Sequence, residues 1–193
     1  QNVALGGYSL ADNLDGNSNT GLGFRSLNNN ISGDKNIAIG LDAAFFSTIG
    51  SNNIAIGSQS LYSNIANSGS IAIGTDAMLF ADSRTIGIFT ENTAIGYSAF
   101  KGSSVAANNT GQSNTAIGYE TLKNNSSGNQ NSTLGVKTLI SNTTGSQNTV
   151  LGYEAGFTGL DTGQNAFFED HNGDMWVWTS LNVLKFNPDK LVQ

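Results

Sequence analysis

The chain has 193 residues and a formal net charge of −6, and only 11% of its residues are charged. This acidic balance lacks the basic face that the phosphate backbone requires, so we expect no nucleic-acid partner. Cys is absent, which excludes disulfides and thiolate metal sites, and the 24 Gly are nearly double the average usage of about 7%.

Segments that target or anchor a protein are not recognised in the sequence. There is no run of about 18 apolar residues, so we expect no membrane insertion by this segment. We recognise no signal peptide either, and the first residues, QNVALG, already belong to a repeat. We therefore expect a mature product or a fragment of a longer array.

A repeat that opens on Asn begins at residue 2, and its copies are spaced by 17 residues except for two adjacent steps of 22. Two short strands and two turns fit this period, whereas two helices do not. The sequence therefore predicts an all-β parallel β-solenoid of about ten coils over 1–164. The copies open at Asn2, Asn19, Asn36, Asn53, Ser70, Asn92, Asn114, Asn131, Asn148 and, in degenerate form, Asn165.

Two columns of the repeat predict a structural ladder. The opening Asn places amides above one another, where they can hydrogen-bond from coil to coil. The Gly that ends each apolar run indicates a sharp corner or a close approach of the neighbouring coil. The predicted ladder residues are Asn36, Asn53, Asn92, Asn114, Asn131 and Asn148, with Gly40, Gly57, Gly96, Gly118, Gly135 and Gly152.

The predicted strands are uncharged on both faces. In successive copies Ile37, Ile54 and Ile71 alternate with Ala38, Ala55 and Ala72, so one row lines the coil and the other points outward. An outward apolar row over nine coils is a stripe that soluble monomers rarely expose. We expect this stripe to be an interface between copies of the chain.

The two long steps place their extra residues at 79–91 and 101–111. Adjacent insertions on one edge protrude together, and loops carry function more often than scaffolds do. The candidate receptor-binding residues are Phe80, Arg84, Phe89 and Lys101. Drift in a permissive loop, with apolar residues folding back over a coil, is the alternative.

The C-terminal piece, 165–193, departs from the repeat. Asn172 and Gly173 lie between AFFED and MWVWT, which predicts a β-hairpin. We interpret this piece as an aromatic cap for the end of the array. As an alternative, Trp176 and Trp178 form a second receptor-binding platform that stacks on sugars.

Signals for chemistry are weak along the chain. His171 is the one His, and nothing positions a nucleophile beside it. Asp170, Asn172 and Asp174 imitate the start of a calcium loop but lack its Gly and distal Glu, so turn chemistry is the better interpretation. We predict no catalytic residue, no metal site and no cofactor.

The repeats NIAIG and NTAIGY, followed by SAF or ETL, resemble the YadA-like head repeats of trimeric autotransporter adhesins. They also resemble the NTAIGY repeat arrays of phage tail fibres and bacterial surface proteins, most closely at 108–122 and 142–155. The resemblance covers about 1–156. It implies a left-handed β-roll, three chains around one axis, and adhesion.

These observations predict a non-catalytic fibre or adhesin head that binds a cell-surface protein or polysaccharide. The resemblance implies a homotrimer outside the cell, on a bacterial surface or on a virion or its tail fibre. The alternative is a structural subunit of an extracellular filament, built by stacking or linking such rods through open strand edges.

Overall fold

The computed structural model describes residues 1–156 and the backbone of three further strands. Nine strands of three residues each form one parallel sheet in chain order, so residues 1–156 form a β-solenoid of about nine turns. This confirms the all-β parallel solenoid; the tenth coil, predicted from Asn165, lies outside the described residues. The strands are β1 (Val3–Leu5), β2 (Thr20–Leu22), β3 (Ile37–Ile39), β4 (Ile54–Ile56), β5 (Ile71–Ile73), β6 (Thr93–Ile95), β7 (Thr115–Ile117), β8 (Ser132–Leu134) and β9 (Thr149–Leu151).

Equivalent residues of successive coils pair across the whole sheet. Ile37 pairs with Ile54, and Ile54 pairs with Ile71, in exact 17-residue register. The register survives the long step between β5 and β6, where Ile71 pairs with Thr93. The additional residues of the long coils therefore leave the sheet undisturbed.

The prediction of two strands per coil is wrong for the described coils. The second apolar run forms consecutive turns, in which alternate residues such as Tyr8 and Leu10 have positive φ angles of 58° and 52°. These turns still bond along the solenoid: the N–H of Leu27 donates to Ala43 and that of Arg25 donates back to Gly7. A twisted strand cannot contain left-handed residues at alternate positions, so this side of the coil is not a sheet.

The core is thin and is filled by small residues. Ala38, Ala55 and Ala72 are completely buried, so the alanine row is the inner row of the sheet. Leu27 and Leu61, from the turn side, pack against it in one continuous cluster. Two inward rows separated by so little space leave room only for Ala, Ser and Leu, which explains the narrow composition of these columns.

The glycine that follows each strand forms a corner of the coil. All nine corner glycines have φ between 125° and 136°, a region that L-residues rarely adopt. A β-carbon on Gly40 would lie 2.7 Å from the carbonyl carbon of Gly57 in the next coil. Both the backbone conformation and the close approach therefore require Gly at this corner.

The opening Asn residues connect adjacent coils through both ends of their amides. The Oδ1 of Asn36 accepts from the backbone N–H of Asn53 at 2.9 Å, and its Nδ2 donates to the carbonyl of Gly50 at 2.8 Å. Direct amide–amide bonds also occur, as from Nδ2 of Asn131 to Oδ1 of Asn114 at 3.0 Å. The ladder is therefore mainly amide to backbone, with stacked amides as a second component.

Two additional ladders were missed by the sequence reasoning. Buried Asn30 donates to Oδ1 of Asn13 in the preceding coil, and Asn142 donates in the same way to Asn125. A ladder of opposite sense adjoins the opening Asn: the N–H of Asp34 donates to the hydroxyl of Ser51, in the following coil, at 2.9 Å. The signal for both is the same 17-residue spacing of Asn, Asp and Ser.

The C-terminal strands form a separate antiparallel sheet of three strands: β10 (Ala166–Glu169), β11 (Met175–Trp178) and β12 (Val183–Phe186). The pairing of β10 with β11, which opposes Phe168 and Trp176, is the pairing predicted for the hairpin. Strand β12 was not predicted. The turn with Asn172 and Gly173, the calcium-loop imitation at Asp170, Asn172 and Asp174, and His171 lie outside the described residues.

Candidate binding surfaces

The outward positions of the nine strands form two parallel apolar rows, which we call the outer stripe. Exposure is highest near the ends, at 72% for Leu5 and 56% for Leu151, and Ile37 is also exposed. No charged residue occurs in either row. The first row is Val3, Thr20, Ile37, Ile54, Ile71, Thr93, Thr115, Ser132 and Thr149; the second is Leu5, Leu22, Ile39, Ile56, Ile73, Ile95, Ile117, Leu134 and Leu151.

A third exposed row follows directly after the corner glycines, and it was not singled out from the sequence. It includes Phe24, Leu41, Tyr97, Tyr119, Val136 and Tyr153, all exposed. The rings of Tyr97 and Tyr119 stack with centroids 5.3 Å apart and nearly parallel planes. The row widens the apolar surface beside the outer stripe, and the recurrent GY pair in the motif was the available signal.

The insertions of the two long coils contact each other. The amide of Asn109, from the second insertion, donates to the backbone carbonyl of Phe80 in the first. The ammonium group of Lys101 binds Asp76 at 3.0 Å and lies 5.8 Å from the centre of the Phe80 ring. Phe80 and Lys101 are thus brought together, and both are half-buried.

The remaining candidates of the first insertion have different surroundings. Arg84 forms an ion pair with the buried carboxylate of Asp82, two residues away. Phe89 is 65% exposed and Ile86, at the tip, is 82% exposed. The insertion therefore presents an apolar tip, and the Arg84 charge is balanced within its own loop. Trp176 and Trp178 belong to β11, and their side chains lie outside the described part of the chain.

An aromatic cluster with an arginine lies on the turn side of coils 2–4. Phe45 stacks on Tyr62 with centroids 5.6 Å apart, and the Arg25 guanidinium lies 5.1 Å from the Phe45 ring. Asp42 holds Arg25 with two hydrogen bonds of 2.7 Å. These bonds raise the pKa of Arg25 against the opposing effect of desolvation, so the guanidinium stays charged. The ring of Phe46 packs edge-on against both Phe45 and Tyr62.

An open groove runs beside this cluster across coils 1–3. Its apolar residues are Leu14 and Ile31, and its polar residues include Asp12, Asn29 and Thr48. Phe46 stands next to it in the register of the coils, one coil beyond Asn29 and two residues before Thr48. The groove was not anticipated because its residues come from three coils and share no motif.

Within the described residues, no group of three or more His, Asp or Glu is placed to hold a metal ion. The same part of the chain contains no helix that is long and apolar enough to cross a bilayer. Comparison of the chain with protein-family models, with curated proteins and with solved structures found no match. The arguments about function below therefore depend on the chain's own surfaces and on the resemblance of its repeats.

Proposed function

We propose that the chain is a non-catalytic module of an extracellular fibre or adhesin that associates with copies of itself through the outer stripe. The observation that supports this proposal is the stripe: two apolar rows over nine coils, opposite a completely buried alanine row. Such a surface amounts to at least several hundred Å², more than soluble monomers usually expose. Cyclic assembly covers the stripe of every chain with the same contact.

The number of chains and the location come from the resemblance of the repeats. It favours three chains, the left-handed sense of the roll, and a bacterial surface or a virion with its tail fibre. The same resemblance favours adhesion to a cell-surface protein or polysaccharide. We assign the contact to the exposed insertions, around Phe80, Phe89 and Lys101, because adjacent loops on a rigid scaffold are common recognition sites.

The assembly is tested by the mass of the protein in dilute solution. We expect a mass near 3 × 20.1 kDa by light scattering. The combined substitution Ile37→Asp, Ile54→Asp and Ile71→Asp should lower it to that of one chain, because three carboxylates cannot be desolvated in an apolar contact. The matched control is Ser32→Asp, Asn124→Asp and Ser141→Asp, which adds the same charge at exposed turn positions and should leave the mass unchanged.

A stable monomer of the parent chain at micromolar concentration would contradict the proposal. Long polymers in electron micrographs would instead support the alternative of a filament subunit that stacks through strand edges. Turnover of polysaccharides by the purified chain would contradict the non-catalytic assignment.

A further inference from the structure

We propose that the groove over coils 1–3, together with the exposed ring of Phe46, binds a neutral pyranose sugar of a glycan chain. The inference rests on the proposed function as a binding module and adds a second site to it, away from the insertions. It also lies on the turn side of the coils, whereas the outer stripe lies on the sheet side.

The first argument is the composition of the groove. A pyranose has an apolar face of C–H groups and a rim of hydroxyl groups that both donate and accept hydrogen bonds. Phe46, which is 40% exposed, and Ile31 offer apolar surface. Asp12 and Asn29 offer a carboxylate and an amide at the edge of the same groove. Few apolar contacts combined with convergent polar groups are typical of small-ligand sites.

The second argument is that the Phe46 ring is held in place before a ligand arrives. It packs edge-on against Phe45 at 4.7 Å and against Tyr62 at 5.1 Å between ring centres. Phe45 in turn lies between Tyr62 and Arg25, and Arg25 is fixed by Asp42. A ring immobilised in this way loses little entropy on binding, which favours weak ligands such as single sugar units.

The third argument concerns charge. Asp12 borders the groove and Asp15 follows closely in the same turn, while the nearby Arg25 is already paired with Asp42. The whole chain also has a net charge of −6. Acidic sugars such as uronates would be repelled, so the groove favours a neutral glycan.

The fourth argument is the repeat distance. Coils stack about 4.8 Å apart, so a groove across three coils is on the order of 10 Å long. The coil spacing is close to the advance of one residue in an extended β-1,4-linked chain. Two or three sugar units of such a chain therefore follow the groove along the axis of the solenoid.

The test uses the full chain and three neutral probes: cellohexaose, chitohexaose and β-1,4-mannohexaose. We expect at least one probe to shift the backbone amide signals of residues 12, 29, 31 and 46–48 in NMR spectra, with a Kd on the order of 1 mM. Phe46→Ala should weaken binding about tenfold or more, because the apolar platform is lost. Phe46→Tyr retains the ring and should stay within about twofold of the parent.

Two controls locate the site. Tyr119→Ala removes an exposed ring elsewhere on the solenoid and should leave the affinity unchanged. A hexamer of galacturonate should bind more weakly than the neutral probes. Circular dichroism of each variant establishes that the solenoid is folded.

Several results would overturn the inference: no shift with any neutral probe, equal affinity of Phe46→Ala and parent, or tighter binding of the uronate or of an unrelated peptide. Failure here and failure of the proposed function are distinguishable. An assembled protein that binds no neutral sugar contradicts the groove alone, whereas a monomer that binds sugar through Phe46 contradicts the assembly alone.

Discussion

The carbonyl oxygen of Gly135 occupies the space that a β-carbon on Gly118 would need. The two residues are corner glycines of adjacent coils, 17 residues apart, and Gly118 has a φ of 134°. An added side chain at this corner therefore encounters both a strained backbone and the neighbouring coil. The same relationship recurs between most successive corners, which is why the column contains only Gly.

Replacement of Gly118 by Val tests the corner. We expect Gly118→Val to lower the free energy of unfolding by about 2–4 kcal/mol, at the upper end of the effects of single mutations. The control is Tyr119→Val, next in the chain, exposed and without positive φ. It should change stability by no more than about 0.5 kcal/mol. A thermal melt of Gly118→Val within one or two degrees of the parent, by any optical probe, contradicts the corner assignment.

The ladder of opening residues is weakest at Ser70. Elsewhere the Asn side chain accepts from the next coil, but the Ser70 hydroxyl bonds Thr90 at 2.6 Å and leaves the N–H of Asn92 without this acceptor. Ser70 and Asn92 also line a cavity of about 20 Å³. Ser70→Asn should fill this space, restore the ladder and raise the free energy of unfolding by about 0.5–1.5 kcal/mol.

The converse change at a complete rung serves as the comparison. Asn131 accepts from the N–H of Asn148 at 3.0 Å and donates to the carbonyl of Gly145 at 2.9 Å. Asn131→Ala leaves two buried backbone groups unpaired and should lower the free energy of unfolding by about 2 kcal/mol or more. Both variants are measured by urea denaturation, and a destabilised Ser70→Asn protein would contradict the ladder argument.

Adjacent residues of strand β4 separate folding from assembly. Ala55 is completely buried in the inner row, whereas Ile54 belongs to the outer stripe. Ala55→Asp places a carboxylate in a core without a partner and should unfold the coil, at a cost of about 4 kcal/mol or more. Ile54→Asp should keep the circular dichroism spectrum and reduce the mass seen by light scattering. The opposite pattern would exchange the two rows.

The insertions can be removed without loss of register. Deletion of 83–87 and of 103–107 restores 17-residue steps, and the second deletion moves Asn108 to the position that buried Asn125 occupies one coil later. We expect the fold and the mass per chain assembly to persist while adhesion to cells that bind the parent disappears. Undiminished adhesion would move the receptor site away from the insertions, and loss of the fold would show that they are structural.

The solenoid and its period were predictable because one residue of each type recurs at the same place in nine coils. The turn side was not, since alternate left-handed residues such as Asp42 and Ala44 have no propensity signal of their own: most of them are ordinary side chains held in that conformation by the neighbouring coils. The identity of the inner row was left open because Ile and Ala are both apolar. The distances decide it, since only Ala fits beside Leu27 and Leu61.

The surfaces were harder to predict than the scaffold. Phe80 and Lys101 were grouped correctly by the adjacency of the long steps, and their contact follows from the insertions sharing one edge. The pairing of Arg84 with Asp82 was missed, although the two are only two residues apart. The cluster around Phe46 was also missed, because its members belong to different columns of different coils and meet only when the coils stack.

The hydrogen bonds between coils are directed along the axis of the solenoid, and each coil bonds only to its two neighbours. Tension applied along that axis acts on the bonds of one junction at a time, because nothing else carries load in parallel with it. A pulled chain therefore yields coil by coil, releasing 17 or 22 residues with each step and leaving the remaining coils folded. The array behaves as a graded extensible element, whose length under load depends on how many coils have opened.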